Sequence, residues 1–160
     1  MSAAASPPIP FQRFLDAHRD LVWRYLAGMV GAVDADDCFQ ETFLAALRAY
    51  PELRPDSNER AWVLTIAHRK ALDHLRGRGR RAVPTDTVPD VPHHDPPPGE
   101  DAIWVRVRAL PPKQRAALTL RYAGDLTHAE VAVALGTSEE AARRSAHEGL
   151  KTLRAQEAAR

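Results

Sequence analysis

Apolar positions recur at three- and four-residue steps from the start of the chain. Phe11, Phe14, Leu15, His18, Val22, Tyr25, Leu26 and Met29 fall on one face of a helix that follows Pro10 and ends around Gly28 and Gly31. Asp34 stands where a cap is expected, which predicts a second helix over residues 35–49 with an apolar stripe of Phe39, Phe43, Ala46, Leu47 and Tyr50. Its other face carries Asp37, Gln40, Glu41, Leu44 and Arg48, and Pro51 stops it. A polar loop over residues 52–59 leads to Ser57 or Asn58 as the cap of a third helix, over residues 59–76. Leu64, Ala67, Ala71 and Leu75 form its buried stripe, and Arg69, Asp73, Arg76 and Arg80 lie on another face.

The pattern then breaks. Residues 82–102 hold five acids, six prolines and no Lys or Arg. Proline fixes φ and removes a backbone donor, so this stretch is an extended linker and not a helix or strand. Helical spacing returns with Ile103, Val107 and Leu110, and again over residues 113–122 beyond Pro111 and Pro112. Gly124 and Asp125 make a turn. Thr127 and Glu130 have capping-box spacing, opening a helix that runs to Leu135. Gly136 suits a left-handed turn, and Ser138 caps a last helix bearing Arg143, Arg144, Lys151 and Arg154. The fold class is therefore all-α, as two small helical domains: a tail at 1–9, a first domain at 10–82, a linker at 83–99, a second domain at 100–155 and a tail at 156–160. An Ala-, Leu- and Arg-rich composition with 6% aromatics agrees with helices.

Net charge, +1, decides little, but its segregation does. Residues 60–81 carry seven Lys or Arg against the single acid Asp73 and run into Arg76-Gly-Arg-Gly-Arg-Arg81. Basic residues beside Trp62 suit phosphate neutralisation with stacking on unpaired bases, although a solvated basic face has the same composition. The stronger signal is residues 126–154. A capped helix, a tight turn at Gly136 and a second capped helix make a helix-turn-helix, with Val131 and Leu135 as apolar contacts and Ala132 and Gly136 small where the helices approach. The second helix is the one expected in the major groove, presenting Glu139, Glu140, Arg143 and Arg144; Arg reads guanine bidentately and Glu accepts from cytosine. A plain helical hairpin with solvated charges is the alternative.

Three motifs carry a family resemblance. Asp34-Ala-Asp-Asp-Cys-Phe-Gln-Glu-Thr-Phe43 resembles the region of sigma factors that grips RNA polymerase. Arg60-Ala-Trp-Val-Leu-Thr-Ile-Ala67 with Asp73-His-Leu-Arg76 resembles the region that melts and reads the minus-10 element. Leu110-Pro-Pro-Lys-Gln-Arg115, Leu120-Arg-Tyr122, Ala129-Glu-Val-Ala132 and Leu135-Gly136 resemble the module that reads the minus-35 element. Order, spacing and length resemble the short extracytoplasmic-function (ECF) sigma factors over nearly all of residues 11–154.

The resemblance implies a non-enzymatic factor that binds core polymerase through its β′ and β subunits and directs promoter recognition and melting. It places Asp37, Gln40, Glu41, Leu44 and Arg48 against a β′ coiled coil, where acids can pair with Arg. It places the loop at 55–59 around a flipped base, and assigns the minus-10 strand to Ser57, Asn58, Arg60, Trp62, Arg69, Lys70, Arg76 and Arg80. The minus-35 duplex falls to Thr127, Ser138, Glu139, Glu140, Arg143, Arg144 and His147. The recognition helix departs from the family's usual Gly-Thr-Val, having Glu140-Ala141-Ala142, and has Ser145 where an Arg is usual. Arg69 replaces a usual Asn. An anti-sigma partner is a common companion of such factors, and no residue here identifies one. The acidic linker, with Asp86, Asp90 and Asp95, would act as a nucleic-acid mimic in a basic channel until RNA displaces it.

Two other readings compete: a polymerase-independent helix-turn-helix regulator, and a helical interaction protein that sequesters a regulator. Enzyme readings rank last, since no phosphate loop, nucleophile elbow or acid–base dyad is found. No cofactor or metal is expected; His93-His94-Asp95 sits in the proline-rich segment without a scaffold. Cys38, the single cysteine, reads as a small buried hydrophobe. No apolar stretch approaches ~20 residues and residues 1–10 lack a signal-peptide pattern, so no membrane insertion and a cytoplasmic location are expected.

Overall fold

The structure, a computed structural model, describes residues 10–81 and 102–159, with side chains given except at 79–81. All regular structure among these residues is helical. The linker, the tail at 1–9, the His93-His94-Asp95 motif and the Arg80 side chain lie outside the described residues.

Helix α1 (Phe11–Val30) starts where the Pro10 carbonyl accepts from the amides of Arg13 and Phe14, and ends at Gly31. Gly31 takes φ +87°, a left-handed conformation that favours glycine, and donates to Ala27 O at 3.0 Å. Its carbonyl accepts from Ala35, so α2 (Ala32–Ala49) begins at once. This is earlier than the sequence predicts. Asp34 is therefore not the cap but part of the first turn, where its carboxylate binds Arg78 Nη1 at 2.9 Å and stands 3.4 Å from His74 Nε2. A 3₁₀ turn (Tyr50–Glu52) follows. Asn58 is the cap of α3 (Glu59–Arg81), its Oδ1 accepting from the Ala61 amide at 3.1 Å. That helix passes through Gly77 and runs beyond the predicted end at residue 76; an interior glycine costs only about 1 kcal/mol, and Arg78 is anchored on Asp34.

These three helices enclose Phe14, Val22, Tyr25, Leu26 and Met29 of α1, Cys38, Phe43 and Ala46 of α2, and Val63, Leu64, Ala67 and Ala71 of α3. Leu47 departs from its predicted buried stripe and is 49% exposed. Its place is taken by Ala35, Cys38 and Thr42, which sit one step round the helix because α2 packs on α1 and α3 together.

After the linker come α4 (Ala102–Arg108) and α5 (Pro112–Leu118), the latter with Pro at its first position. The helix predicted over 113–122 changes character midway. Thr119–Ala123 form a π-helical turn closed by the Gly124 amide on Thr119 O at 3.0 Å. Ile103, expected in the buried stripe of α4, is exposed, while Trp104 turns inward onto Gly28 of α1. Helices α6 (His128–Leu135) and α7 (Glu139–Ala158) complete the second module, with α7 packed along α5 and α6.

The buried residues of both modules join in one continuous cluster. A Cβ at Gly28 would lie 2.9 Å from Thr119 Cγ2 and 3.2 Å from the Trp104 ring, and one at Gly124 would meet Leu64 at 3.0 Å. Arg115 Nη1 donates to Met29 O at 3.0 Å and Arg108 Nη1 to Ala27 O at 3.4 Å. Two guanidinium groups of the second module thus serve the carbonyl end of α1, where the helix dipole favours cations.

Candidate nucleic-acid interface

The helix-turn-helix is built from local chemistry. Thr127 Oγ1 accepts from the Glu130 amide at 3.2 Å, and Glu130 Oε1 accepts from the Thr127 amide at 3.0 Å. Gly136 takes φ +65°, and its amide closes α6 on Ala132 and Val133. Ser138 Oγ accepts from the Ala141 amide at 3.1 Å and starts α7. The close approach expected at Gly136 is not there: nothing lies within 4 Å of a Cβ built at that position. The tight contact is at Gly149, where a Cβ would stand 2.6 Å from Leu118 Cδ1. Ala142, Ala146, Gly149 and Leu153 form a narrow buried stripe that seats α7 on the rest of the module. The run of small residues at three- and four-residue steps is the sequence signal for this face.

With that face buried, the other is presented to solvent. Thr127, Ser138, Glu139, Glu140, Arg143, Arg144 and His147 are all exposed. Arg143 Nη2 donates to Glu139 Oε1 at 3.0 Å, a one-turn pair that aligns both side chains along the exposed side of α7.

The residues assigned to a melted strand are less uniform. Arg69 and Arg76 are exposed and Lys70 half-buried on α3. Trp62 is half-buried, edge-on to Phe14 with ring centroids 5.6 Å apart, and so leans on the core. Ser57 is half-buried in the loop before Asn58. Asn58 Nδ2 donates to Glu130 Oε2, and Arg60 Nη1 lies 3.7 Å from Asp125 Oδ2. An open polar hollow of about 530 Å³ is lined by Ala17, His18, Leu21, Asn58, Glu59 and Arg60. His18, read from the sequence as one of an apolar stripe, borders this hollow with its Nε2 3.2 Å from Glu59 Oε2. The signal was its polarity at an otherwise apolar register.

A third surface is the outer face of α2. Asp37, Gln40, Glu41, Leu44 and Arg48 are all exposed along it. Leu44 is 54% exposed, and with Leu47 it forms an apolar patch edged by charge. Behind this face Cys38 is buried, its thiol pushed up to about 11 by burial and then by Glu41, Asp34 and Asp37. Such a thiol stays protonated and is a poor nucleophile. Among the described residues no group of His, Cys, Asp and Glu is placed to hold a metal ion, and no helix is long and apolar enough to cross a membrane.

Comparison with known proteins agrees with this arrangement. Residues 14–81 match the family model of sigma-70 region 2, and residues 100–153 match that of sigma-70 region 4. The chain is 32% identical to the ECF RNA polymerase sigma factor BldN of Streptomyces coelicolor over 94% of its own length, and spans 61% of that relative. It is 33% identical to the ECF RNA polymerase sigma factor SigD of Mycobacterium tuberculosis, covering 95% of this chain and 79% of SigD. The fold matches the sigma factor RpoE in its complex with the anti-sigma factor NepR from Bartonella quintana, with a TM-score of 0.75 at 19% identity over 89% of this chain and 93% of that one. It also matches CnrH in complex with the cytosolic domain of CnrY, with a TM-score of 0.68 at 21% identity over 93% and 88% of the two chains. The all-α fold with two modules and the sigma-factor resemblance are thus both borne out, and the chain belongs to the ECF group of the sigma-70 family of RNA polymerase sigma factors.

Proposed function

We propose that the chain recruits core RNA polymerase to a promoter, reads its two elements and opens the duplex, while the polymerase supplies all catalysis. Residues 10–82 form the polymerase-binding and minus-10 module, 83–99 the linker and 100–155 the minus-35 module. The outer face of α2, with Asp37, Gln40, Glu41, Leu44 and Arg48, docks on the β′ coiled coil. Ser57, Asn58, Arg60, Trp62, Arg69, Lys70, Arg76 and Arg80 engage the melted minus-10 strand, and the hollow beside His18 and Asn58 receives an extruded base. Thr127, Ser138, Glu139, Glu140, Arg143, Arg144 and His147 face the minus-35 duplex.

One observation separates this reading from a regulator that works without polymerase. A helix-turn-helix alone accounts for α6 and α7 but gives α2 nothing to do. The exposed Leu44 and Leu47, set among Asp37, Gln40, Glu41 and Arg48, are an apolar patch with a polar rim, as protein-binding surfaces have. Neither module offers enough contacts to hold a promoter alone, and mounting both on one polymerase raises their effective concentration. An anti-sigma protein is a natural further partner, because the structural neighbour RpoE is seen in complex with the anti-sigma factor NepR. The test is run-off transcription from a genomic promoter library with reconstituted holoenzyme, beside a pull-down with core polymerase. Specific transcripts and retention on core enzyme are expected; absence of association sinks the reading.

A further inference from the structure

We propose that Glu59, held in place by His18, is the residue that selects the extruded minus-10 base, and that it admits cytosine and rejects thymine. The inference deepens the base-capture role given above to the hollow between α1 and the start of α3, and it rests on that reading.

A carboxylate on a DNA-binding surface repels phosphate. It is useful there only where it accepts a hydrogen bond from a base. Glu59 stands in the wall of the hollow, 35% exposed, and His18 Nε2 lies 3.2 Å from its Oε2. A carboxylate only accepts, so the imidazole donates from Nε2. The His18 side chain is 15% exposed, and its ring packs 4.7 Å from that of Phe14. It is therefore a fixed arm from α1 that holds a carboxylate on α3.

The remaining groups of the hollow decide which base fits. His18 engages Oε2, which leaves Oε1 as the open acceptor. Asn58 is already occupied, its Oδ1 accepting from the Ala61 amide and its Nδ2 donating to Glu130. Arg60 is not. Among the described residues its Nε is buried without a hydrogen-bond partner, and its Nη1 stands 3.7 Å from the exposed Asp125. The hollow thus offers one acceptor beside a donor fork, with Ala17 and Leu21 as an apolar wall for the ring. The pairing edge of cytosine is the complement: its N4 amine donates to one oxygen, while N3 and O2 accept from the fork. Adenine has only one acceptor on that edge, and guanine brings two donors to one open oxygen. Thymine sets its O4 carbonyl where cytosine has the amine, so two oxygens face each other and neither is satisfied.

The test is run-off transcription by holoenzyme reconstituted with the full chain, on promoters from the library above that differ only in one minus-10 base of the non-template strand. Each result is a ratio between two templates read by one preparation, so partial unfolding of a variant cancels. Wild type should favour cytosine over thymine at one position by about tenfold or more, as one well-made base contact supplies. Glu59→Gln, whose amide donates as well as accepts, should bring that ratio to within about twofold of one and leave the other positions and the minus-35 preference as in wild type. His18→Leu cannot hold the carboxylate and should lower the same ratio by about threefold or more. His18→Gln restores a donor and should keep it. A second measurement replaces the cytosine by 2-pyrimidinone, which lacks the amine, on a template already mismatched over the minus-10 element, so that duplex stability does not enter. The replacement should cost wild type about tenfold and Glu59→Gln little. Transcripts with no cytosine position, or a cytosine preference that Glu59→Gln leaves intact, overturn the proposal while the sigma reading stands. A loss in His18→Leu that is equal on all templates overturns the part given to His18. No transcript from wild type on any template overturns the sigma reading and the base choice with it.

Discussion

Tyr25 and His68 meet between α1 and α3, oxygen to Nδ1, at 2.7 Å and with almost no exposure. Burial, and then Arg69 and Arg76, push the His68 imidazole down from 6.5 to about 4, and burial holds the Tyr25 phenol well above its usual range. Between those two pH values the unfolded chain binds a proton that the folded chain refuses. Stability is therefore complete above about pH 6.5 and is lost as pH falls toward 4, by at most about 3.5 kcal/mol at ~1.4 kcal/mol per pH unit. Urea titrations across this window should show the loss, and His68→Asn, which keeps a hydrogen-bonding group near Nδ1 but does not titrate, should flatten it. An equally steep loss in the variant would assign the effect to carboxylates instead. At the DNA-facing surface, Arg143→Ala and Arg144→Ala should each weaken cognate minus-35 duplex more than random duplex, by about 1–3 kcal/mol of discrimination. Releasing Arg143 from Glu139 costs little, since an exposed one-turn pair contributes about 0.2–0.5 kcal/mol. Equal losses on both duplexes would reduce these residues to phosphate contacts.

The helix-turn-helix separates two uses of glycine that composition cannot distinguish. Gly136→Ala meets no neighbour but must hold φ +65°, at a strain of about 1–2 kcal/mol. Gly149→Ala has ordinary helical geometry but drives a methyl into Leu118, and overpacking of this kind costs about 1–3 kcal/mol. Chemical unfolding should find both variants destabilised, and Leu118→Ala should restore part of the loss at Gly149 and none at Gly136. On α2, Leu44→Asp should leave the unfolding midpoint unchanged, the side chain being half out in solvent, while abolishing retention on core polymerase. These contrasts show where the sequence is legible. The capping box at Thr127 and Glu130, the cap at Ser138 and the turn at Gly136 are contained within a few residues, and each is legible locally. The start of α2 is not legible in this way, because Gly31 ends one helix and begins the next, leaving Asp34 to bind partners forty or more residues away. Leu47 and Ile103 fit a helical stripe by spacing, but which flank of a stripe is buried depends on the neighbouring helix. Trp104 against Gly28 joins residues from either side of the linker, and no local pattern encodes such a pair.

At the scale of the whole molecule, the proposed function asks the linker to join two modules that lie far enough apart to span a promoter. Its composition offers two properties, length and charge, and they can be varied separately. Deleting residues 86–95 removes about 33 Å of reach at ~3.3 Å per residue. Replacing Asp86, Asp90 and Asp95 by Asn keeps the reach and removes three charges. If reach is what the segment supplies, the deletion should abolish run-off transcription from a promoter of ordinary spacing and spare more of it on templates with the two elements moved closer. The neutral variant should then transcribe normally. If the acids also stand in for nucleic acid in a basic channel, the neutral strand should be displaced more readily by growing RNA. The ratio of full-length to abortive transcripts should then rise, and open complexes should become less sensitive to salt, because a charged contact that salt screens has been lost. Unchanged abortive ratios in the neutral variant would leave the segment a spacer.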